Sequence, residues 1–303
     1  MFRIIKNSNY WFAFSIILAI LSVIALFFYG LRVGIDYKGG TVIQFSSASA
    51  QKVDIVKSTL DEIGITGYQI KESGNDNAII RLQTLSNDQH KDLSARITEK
   101  LPDYNETSYD TVGPVIGRDL TNKSILAILL ASAGIIVFIA FAFRKVPKPL
   151  SSWKFGVCAV IALIHDLLIT TGFVSVVGHY FIWMEVDALF VTALLTIMGF
   201  SVHDTIVVYD RLRENFIKNP HQDITTSAEE SINQTVVRSI NTSLTTIIVL
   251  LSLLVFGSAS IKHFVLILVF GITIGTYSSI FNATPLLVLW QKMSLPKVSD
   301  RSK

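Results

Sequence analysis

Residues 188–209 read ALFVTALLTIMGFSVHDTIVVY. As a helix this stretch extends about 33 Å at 1.5 Å per residue, enough to cross roughly 30 Å of bilayer hydrocarbon. One formal charge, Asp204, interrupts it. Five further stretches have the same character: 11–30, 124–143, 155–177, 237–257 and 263–290, the first two without any charged residue. Composition agrees with six spans. Charged residues make up 16% of the 303-residue chain, against roughly 25% in soluble globular proteins. The apolar content of 50% excludes disorder, and the single cysteine, Cys158, excludes a disulfide scaffold. A net charge of +3 without a clustered basic face argues against nucleic-acid binding. The long apolar blocks argue against a soluble enzyme. The chain reads as an integral membrane protein.

Orientation follows from the short loops, because cytoplasmic loops are enriched in Lys and Arg. The N-terminus, with Arg3 and Lys6 before an apolar run, has the outline of a signal peptide. The run is too long and lacks a small-x-small cleavage site, so it reads as an uncleaved signal anchor. An inside N-terminus places Arg3, Lys6, Arg144, Lys145, Lys148, Lys154, Arg211, Arg213, Lys218, Lys292, Lys297, Arg301 and Lys303 in the cytoplasm. The two short outside loops, 178–187 and 258–262, then carry one cation, Lys262. Both termini are expected inside. The cationic loops fit a bacterial inner membrane better than an outer-membrane barrel, which shows short alternating strands.

The expected organisation is 1–30 for the N-terminus and first span, 31–123 for an outside domain, 124–290 for spans two to six, and 291–303 for a cytoplasmic tail. Within 31–123, residues 41–45 read as a strand and 53–63 as an amphipathic helix. Residues 68–71 and 78–82 read as a hairpin around Gly74, Asn75, Asp76 and Asn77, a turn cluster. Ser86, with Gln89 three residues on, is a capping-box start for a helix running to about Leu101. Residues 104–112 close the unit as a last strand. The order βαββαβ is that of the ferredoxin-like split motif. Such a sheet keeps an open face or edge suited to touching another chain, so the domain reads as a docking module.

Forty-six of the 49 charges lie outside the spans and three lie within: Asp166, Asp204 and Arg238. An ionisable group at membrane depth costs roughly 2.5–3.5 kcal/mol on insertion scales, so each needs a reason. His165 and Asp166 lie near the middle of 155–177. Asp204 is 17 residues from Asp187, a depth of about 25 Å. Arg238 is 19 residues from Gly257, about 28 Å. The matching depths suit a pair. Ser231, Gln234, Thr235, Arg238, Asn241, Thr242 and Thr245 recur at spacings of three and four, which puts them on one helix face. Thr192, Thr196, Gly199 and His203 form a similar stripe in the fourth span. Gly271, Gly275 and Ser279, with Asn282 one turn on, permit close approach in the sixth.

Plainer readings compete with a functional one. Small and hydroxylated stripes serve packing in membrane helices, and Arg238 lies near enough to the cytoplasm to snorkel. Asp166 lies too deep for that and needs a buried partner; His165 either is that partner or faces the opposite way. Histidine exchanges protons near neutrality, and one charge crossing 100 mV carries about 2.3 kcal/mol. On these grounds the set suits a proton-responsive membrane protein with an outside docking domain.

Several motifs also resemble those of the SecF family. Gly34-Ile35-Asp36-Tyr37-Lys38-Gly39-Gly40 is similar to its G-I-D-F-x-G-G signature, and Val112-Gly113-Pro114-Val115-Ile116-Gly117 to its V-G-P-x-x-G motif. Residues 199–211, GFSVHDTIVVYDR, resemble G-[FY]-S-x-N-D-T-[IV]-V-[IV]-[FY]-D-R. Ser231-Ile232-Asn233-Gln234-Thr235, Arg238 and Asn241-Thr242-Ser243 match its N-Q-T…R-x-x-N-T-S block, and the His165-Asp166 pair has a counterpart there. The resemblance implies a six-helix half of the RND superfamily that pairs with SecD. SecDF, often with YajC, assists the SecYEG–SecA translocon and uses the proton-motive force to pull or release preproteins on the periplasmic side. It further implies that Asp204 carries the proton, with Arg238 as its charge partner, and that Gly34, Asp36, Gly39, Gly40, Gly113, Pro114 and Gly117 shape a hinge. A tight turn leading into the first strand is the plainer reading of Asp36 to Gly40, and it is compatible with the hinge. Two departures stand out. His203 occupies the usual Asn position, either as a second titratable group or as a plain hydrogen-bond donor, and Asp119 stands where Glu is common.

An RND-type half-transporter of lipids or small molecules is the alternative, disfavoured by the motif block and the small outside domain. An intramembrane metallohydrolase using His165/Asp166 and His203/Asp204 is a third. With six histidines and no H-E-x-x-H, its ligand set is thin. No cofactor and no metal are expected.

Overall fold

The structure, a computed structural model of the full chain, describes residues 3–73, 76–144 and 151–294. The expected turn residues Gly74 and Asn75, the loop cations Lys145 and Lys148, and the tail cations Lys297, Arg301 and Lys303 lie outside the described residues. The chain forms two compact units, Met1–Arg32 with Leu126–Lys303, and Val33–Ile125.

Helix α1 (Ser8–Tyr29) is followed by the smaller unit, which opens with a one-turn helix α2 (Ile35–Lys38). Then come β1 (Gly40–Ser46), α3 (Lys52–Ile63), β2 (Gln69–Ser73), β3 (Asn77–Leu82), α4 (Asn87–Lys100) and β4 (Asn105–Val112). Among the described residues the strands form one antiparallel sheet in the order β2-β3-β1-β4. Strand alternation sends Ile43 and Phe45 of β1 and Ala78, Ile80 and Leu82 of β3 to one face. Val56 and Leu60 of α3 and Leu93 and Ile97 of α4 join them in a single apolar cluster. Each such side chain contributes about 1.5–3 kcal/mol by leaving water. Ser86 caps α4 in a complete capping box with Gln89, and Gly64 ends α3 in the left-handed conformation at φ 78°.

After β4 the chain continues with α5 (Pro114–Ala142), α6 (Ser152–Tyr180), α7 (Ala188–Lys218) and α8 (Ile224–Phe256). The last span runs through α9 (Lys262–Ser278), a π-helical segment (Ser279–Ala283) and α10 (Thr284–Ser294). Among the described residues six helices are long and apolar enough to cross a membrane, so this is a multi-pass membrane protein. Half of the apolar stretch of α6 and of the last span is buried, whereas α5 and α8 bury 6% and 11% of theirs. Small residues allow the central helices to touch. A Cβ on Gly275 of α9 would come within 3.0 Å of Ser201 of α7, and one on Gly172 of α6 within 2.4 Å of Ser22 of α1. At one end Asp187 caps α7 by accepting from the Phe190 amide at 2.8 Å and also meets His263 Nε2 of α9 at 2.8 Å.

Helices α7 and α8 exceed the expected spans 188–209 and 237–257. Hydropathy falls from Asp210 on, but Asp210, Arg211, Arg213, Glu214 and Lys218 continue the helix α7 with pairs three and four residues apart. Arg213–Asp210 lies at 2.9 Å and Lys218–Glu214 at 2.7 Å. Asp223 restarts the chain as the N-cap of α8, accepting from the Thr225 amide at 3.0 Å.

Candidate functional site

Two acids sit inside the helix bundle. Asp166 of α6 is fully buried. Its Oδ2 accepts from Ser201 Oγ of α7 and from Ser278 Oγ of α9, each at 2.6 Å, and its Oδ1 lies 3.0 Å from His165 Nδ1. One carboxylate thus ties three spans, and His165 faces Asp166. Asp204 of α7 is 5% exposed. It accepts from Thr276 Oγ1 of α9 at 3.2 Å and from Ser243 Oγ of α8 at 3.4 Å, and those two hydroxyls lie 2.5 Å apart.

The two acids therefore grip α9 two residues apart, at Thr276 and Ser278. Ser279 follows, donating to the Ser201 carbonyl at 2.9 Å and accepting from Thr205 Oγ1 at 2.9 Å. Tyr209 OH donates to the Ala283 carbonyl at 3.0 Å. Much of this polar network gathers on the π-helical segment and the turn before it. Such segments loosen the i→i−4 ladder and occur often at functional sites.

Among the described residues no ion pair joins Asp204 to Arg238, so the expected pair is not formed in this arrangement. Ser231, Thr235, Ser239 and Ser243 follow each other at steps of four along the buried side of α8. Gln234, Arg238, Asn241, Thr242 and Thr245 lie on its exposed side. The single polar face read from spacing is thus two neighbouring strips. Arg238 lines a cavity of about 580 Å³ together with Asp210, Arg211, Arg213, Glu214 and Gln234. Gln234 Oε1 accepts from Arg211 Nε at 2.5 Å and from Asn215 Nδ2 at 3.0 Å, fastening α7 to α8. His203 is exposed although it adjoins Asp204 in sequence.

The two glycine-rich motifs meet within the smaller unit. Gly34 precedes α2, Gly39 adopts φ 75°, and Gly40 adopts φ 134° at the start of β1. A Cβ on Gly39 would lie 3.0 Å from Pro114 Cα, and one on Gly117 would lie 2.8 Å from the Tyr37 carbonyl oxygen. These contacts require glycine. Asp36 lies in α2, and a Cβ on Gly113 would meet open space. Asp119 pairs with Lys123 at 2.7 Å on the surface of α5.

Thr276 and Ser278 belong to none of the motifs or stripes legible in the sequence. Hydroxylated residues are common in membrane helices, and only the helix packing shows which of them turn toward an acid. The run Thr276, Tyr277, Ser278, Ser279 inside an apolar span is the signal that marks the place.

Residues 92–293 match the family model of the protein export membrane protein SecD/SecF, C-terminal. The SecF protein translocase subunit of Thermobaculum terrenum is 40% identical over 100% of this chain and 98% of its own length. That of Anaerolinea thermophila is 38% identical over 96% of this chain and 94% of its own. The crystal structure of SecDF, a translocon-associated membrane protein from Thermus thermophilus, superposes with a TM-score of 0.82 at 31% identity, covering 96% of this chain. This chain spans 39% of the length of that SecDF chain. With motifs, spans and relatives in agreement over nearly its full length, the chain belongs to the SecF family of protein translocase subunits.

Proposed function

We propose that this chain is an auxiliary subunit of the Sec protein translocase that works with a SecD half. In this reading the pair uses the proton-motive force to drive late, periplasmic-side steps of preprotein translocation. Asp204 carries the proton, Arg238 is the cation of the same path, and His165, Asp166 and His203 complete the relay. The observation that carries the reading is Asp204 itself, a buried acid held by two hydroxyls beside a helix with an uncovered polar strip. Gln234, Arg238, Asn241, Thr242 and Thr245 face outward from α8. Polar side chains at membrane depth turn toward protein rather than lipid. A SecD-like half seated on α8 would cover them and complete the path, as the greater length of the SecDF chain suggests.

The remaining features follow the same reading. The protein sits in the bacterial inner membrane with both termini cytoplasmic and 31–123 periplasmic, followed by spans through 124–290 and the tail 291–303. The periplasmic domain is ferredoxin-like, a reading supported by its βαββαβ order and its β2-β3-β1-β4 sheet. The packed motifs around Gly34, Asp36, Gly39, Gly40, Gly113, Pro114 and Gly117 act as the hinge that transmits membrane movement to it. YajC, SecYEG with SecA, and the preprotein are the further partners. No cofactor takes part. Cysteines at Asn241 and Thr245, tested for cross-linking in native membranes, check the partner. A cross-link to a SecD-like chain is the expected result, and labelling by lipid-borne reagents with no protein cross-link contradicts it.

A further inference from the structure

His165 belongs to a chain of side-chain contacts that runs on to α1. Its Nε2 lies 3.4 Å from Asn282 Nδ2 of the π-helical segment. Asn282 Oδ1 accepts from Ser15 Oγ of α1 at 2.8 Å. Ser15 Oγ lies 3.0 Å from Tyr277 OH, which donates to the Trp11 carbonyl at 3.2 Å. Donor and acceptor chemistry fixes the direction of the links at His165 and Asn282. An amide NH₂ only donates, so the Nε2 that faces it carries no hydrogen. The neutral ring then holds its hydrogen on Nδ1 and donates it to Asp166 Oδ1.

One proton added to this pair has two places to go. On the ring, it occupies Nε2. On Asp166 Oδ1, it is donated to Nδ1, and the hydrogen of the neutral ring moves to Nε2. Oδ2 is already occupied by the hydroxyl hydrogens of Ser201 and Ser278. Both routes leave an N–H at Nε2 pointing at an amide N–H. A half-turn of the Asn282 amide relieves this opposition by presenting Oδ1 to His165 and Nδ2 to Ser15. Ser15 must then accept, and its own hydrogen turns toward Tyr277. The amide's oxygen and nitrogen exchange places within one volume. Beside it lies an apolar cavity of about 370 Å³ lined by Phe12, Ser15, Ile161, His165, Asn282 and Leu286. Tyr277 is the one other titratable group in the chain of contacts. Among the described residues no further ionisable side chain hydrogen-bonds to His165, Asp166 or Asn282.

We propose that Asn282 is a positioning residue that reads the protonation state of the His165–Asp166 pair and passes it to α1 through Ser15. This rests on the proton-carrying reading above and adds how protonation reaches the span that precedes the smaller unit in the chain. Solid-state NMR of the full chain in lipid nanodiscs, with labelled histidine, asparagine and serine, tests it across a pH titration. His165 Nε2 is expected to gain its hydrogen while the Asn282 side-chain and Ser15 Cβ resonances shift with the same midpoint. In Asn282→Leu, His165 is expected to titrate while Ser15 stays still. A titrating His165 beside an unmoved Asn282 in the unmodified protein overturns the inference alone and needs no variant to fold. A Ser15 shift that persists in Asn282→Leu overturns it as well. A His165 that never titrates overturns the proton reading of this pair and the inference with it.

Discussion

Asp166 and Asp204 are both acids within the helix bundle, yet their surroundings differ in kind. Asp166 has a donor from each of α6, α7 and α9 and no exposed surface. Asp204 has two hydroxyl donors and lies next to α8, which buries little of its apolar stretch and exposes a polar strip. The first arrangement braces the bundle. The second leaves an acid close to a surface that a partner half would complete. Position in a span does not separate the two; the number of donors and the covering of the adjacent helix do.

The largest expected effect breaks the brace. Asp166→Leu leaves His165, Ser201 and Ser278 facing an apolar side chain and is expected to cost about 3–5 kcal/mol, read as a lower Tm and a reduced level in membranes. Asp204→Leu strands two hydroxyls and is expected to cost about 1–3 kcal/mol. Equal losses would erase the distinction. In preprotein export, Arg238→Met is expected to mimic Asp204→Asn, with little further loss in the double variant; additive losses would mean that the two act on separate paths. A third comparison uses glycines. Gly275→Val pushes against Ser201, which bonds Asp166, and is expected to cost about 1–3 kcal/mol. At Gly199, on the helix of Asp204, a Cβ meets nothing within 4 Å, so Gly199→Val serves as the milder control.

The smallest expected effect lies outside the membrane. The Ser47 hydroxyl at 2.9 Å, and then the Ala48 amide at 2.7 Å, hold the Asp103 carboxyl below the usual carboxylate range. A lowered folded value contributes stability above about pH 3.9 that is lost as pH falls through the folded value. Ser47→Ala is expected to move acid-side opening of the smaller unit to slightly higher pH, measured by hydrogen exchange of the full chain. An unchanged midpoint would show that this bond contributes nothing.

Much of this was legible in the sequence, for physical reasons. Strand and helix bounds in the smaller unit fall within two residues of the reading because alternation, a capping box and a terminal glycine act locally. The six spans were legible from apolar length, while the end of α7 and the start of α8 were not, since paired charges in α7 and the Asp223 cap of α8 carry each helix past its hydrophobic part. The buried acids stood out because so few charges lie in the spans. Their donors Ser278 and Thr276 did not, because they are ordinary residues until helix packing aims them. The matching depths read for Asp204 and Arg238 say nothing about which way either side chain faces. Arg238 lies one residue before Ser239, on the exposed strip that neighbours the buried one on α8.

The most direct measurement compares preprotein translocation into inverted membrane vesicles with and without an imposed proton-motive force, for the unmodified chain and for Asp204→Asn present at an equal level with its partner half. Loss of the stimulation in Asp204→Asn, with basal translocation intact, is the expected result. Full stimulation in Asp204→Asn would contradict the assignment of Asp204 as the proton carrier.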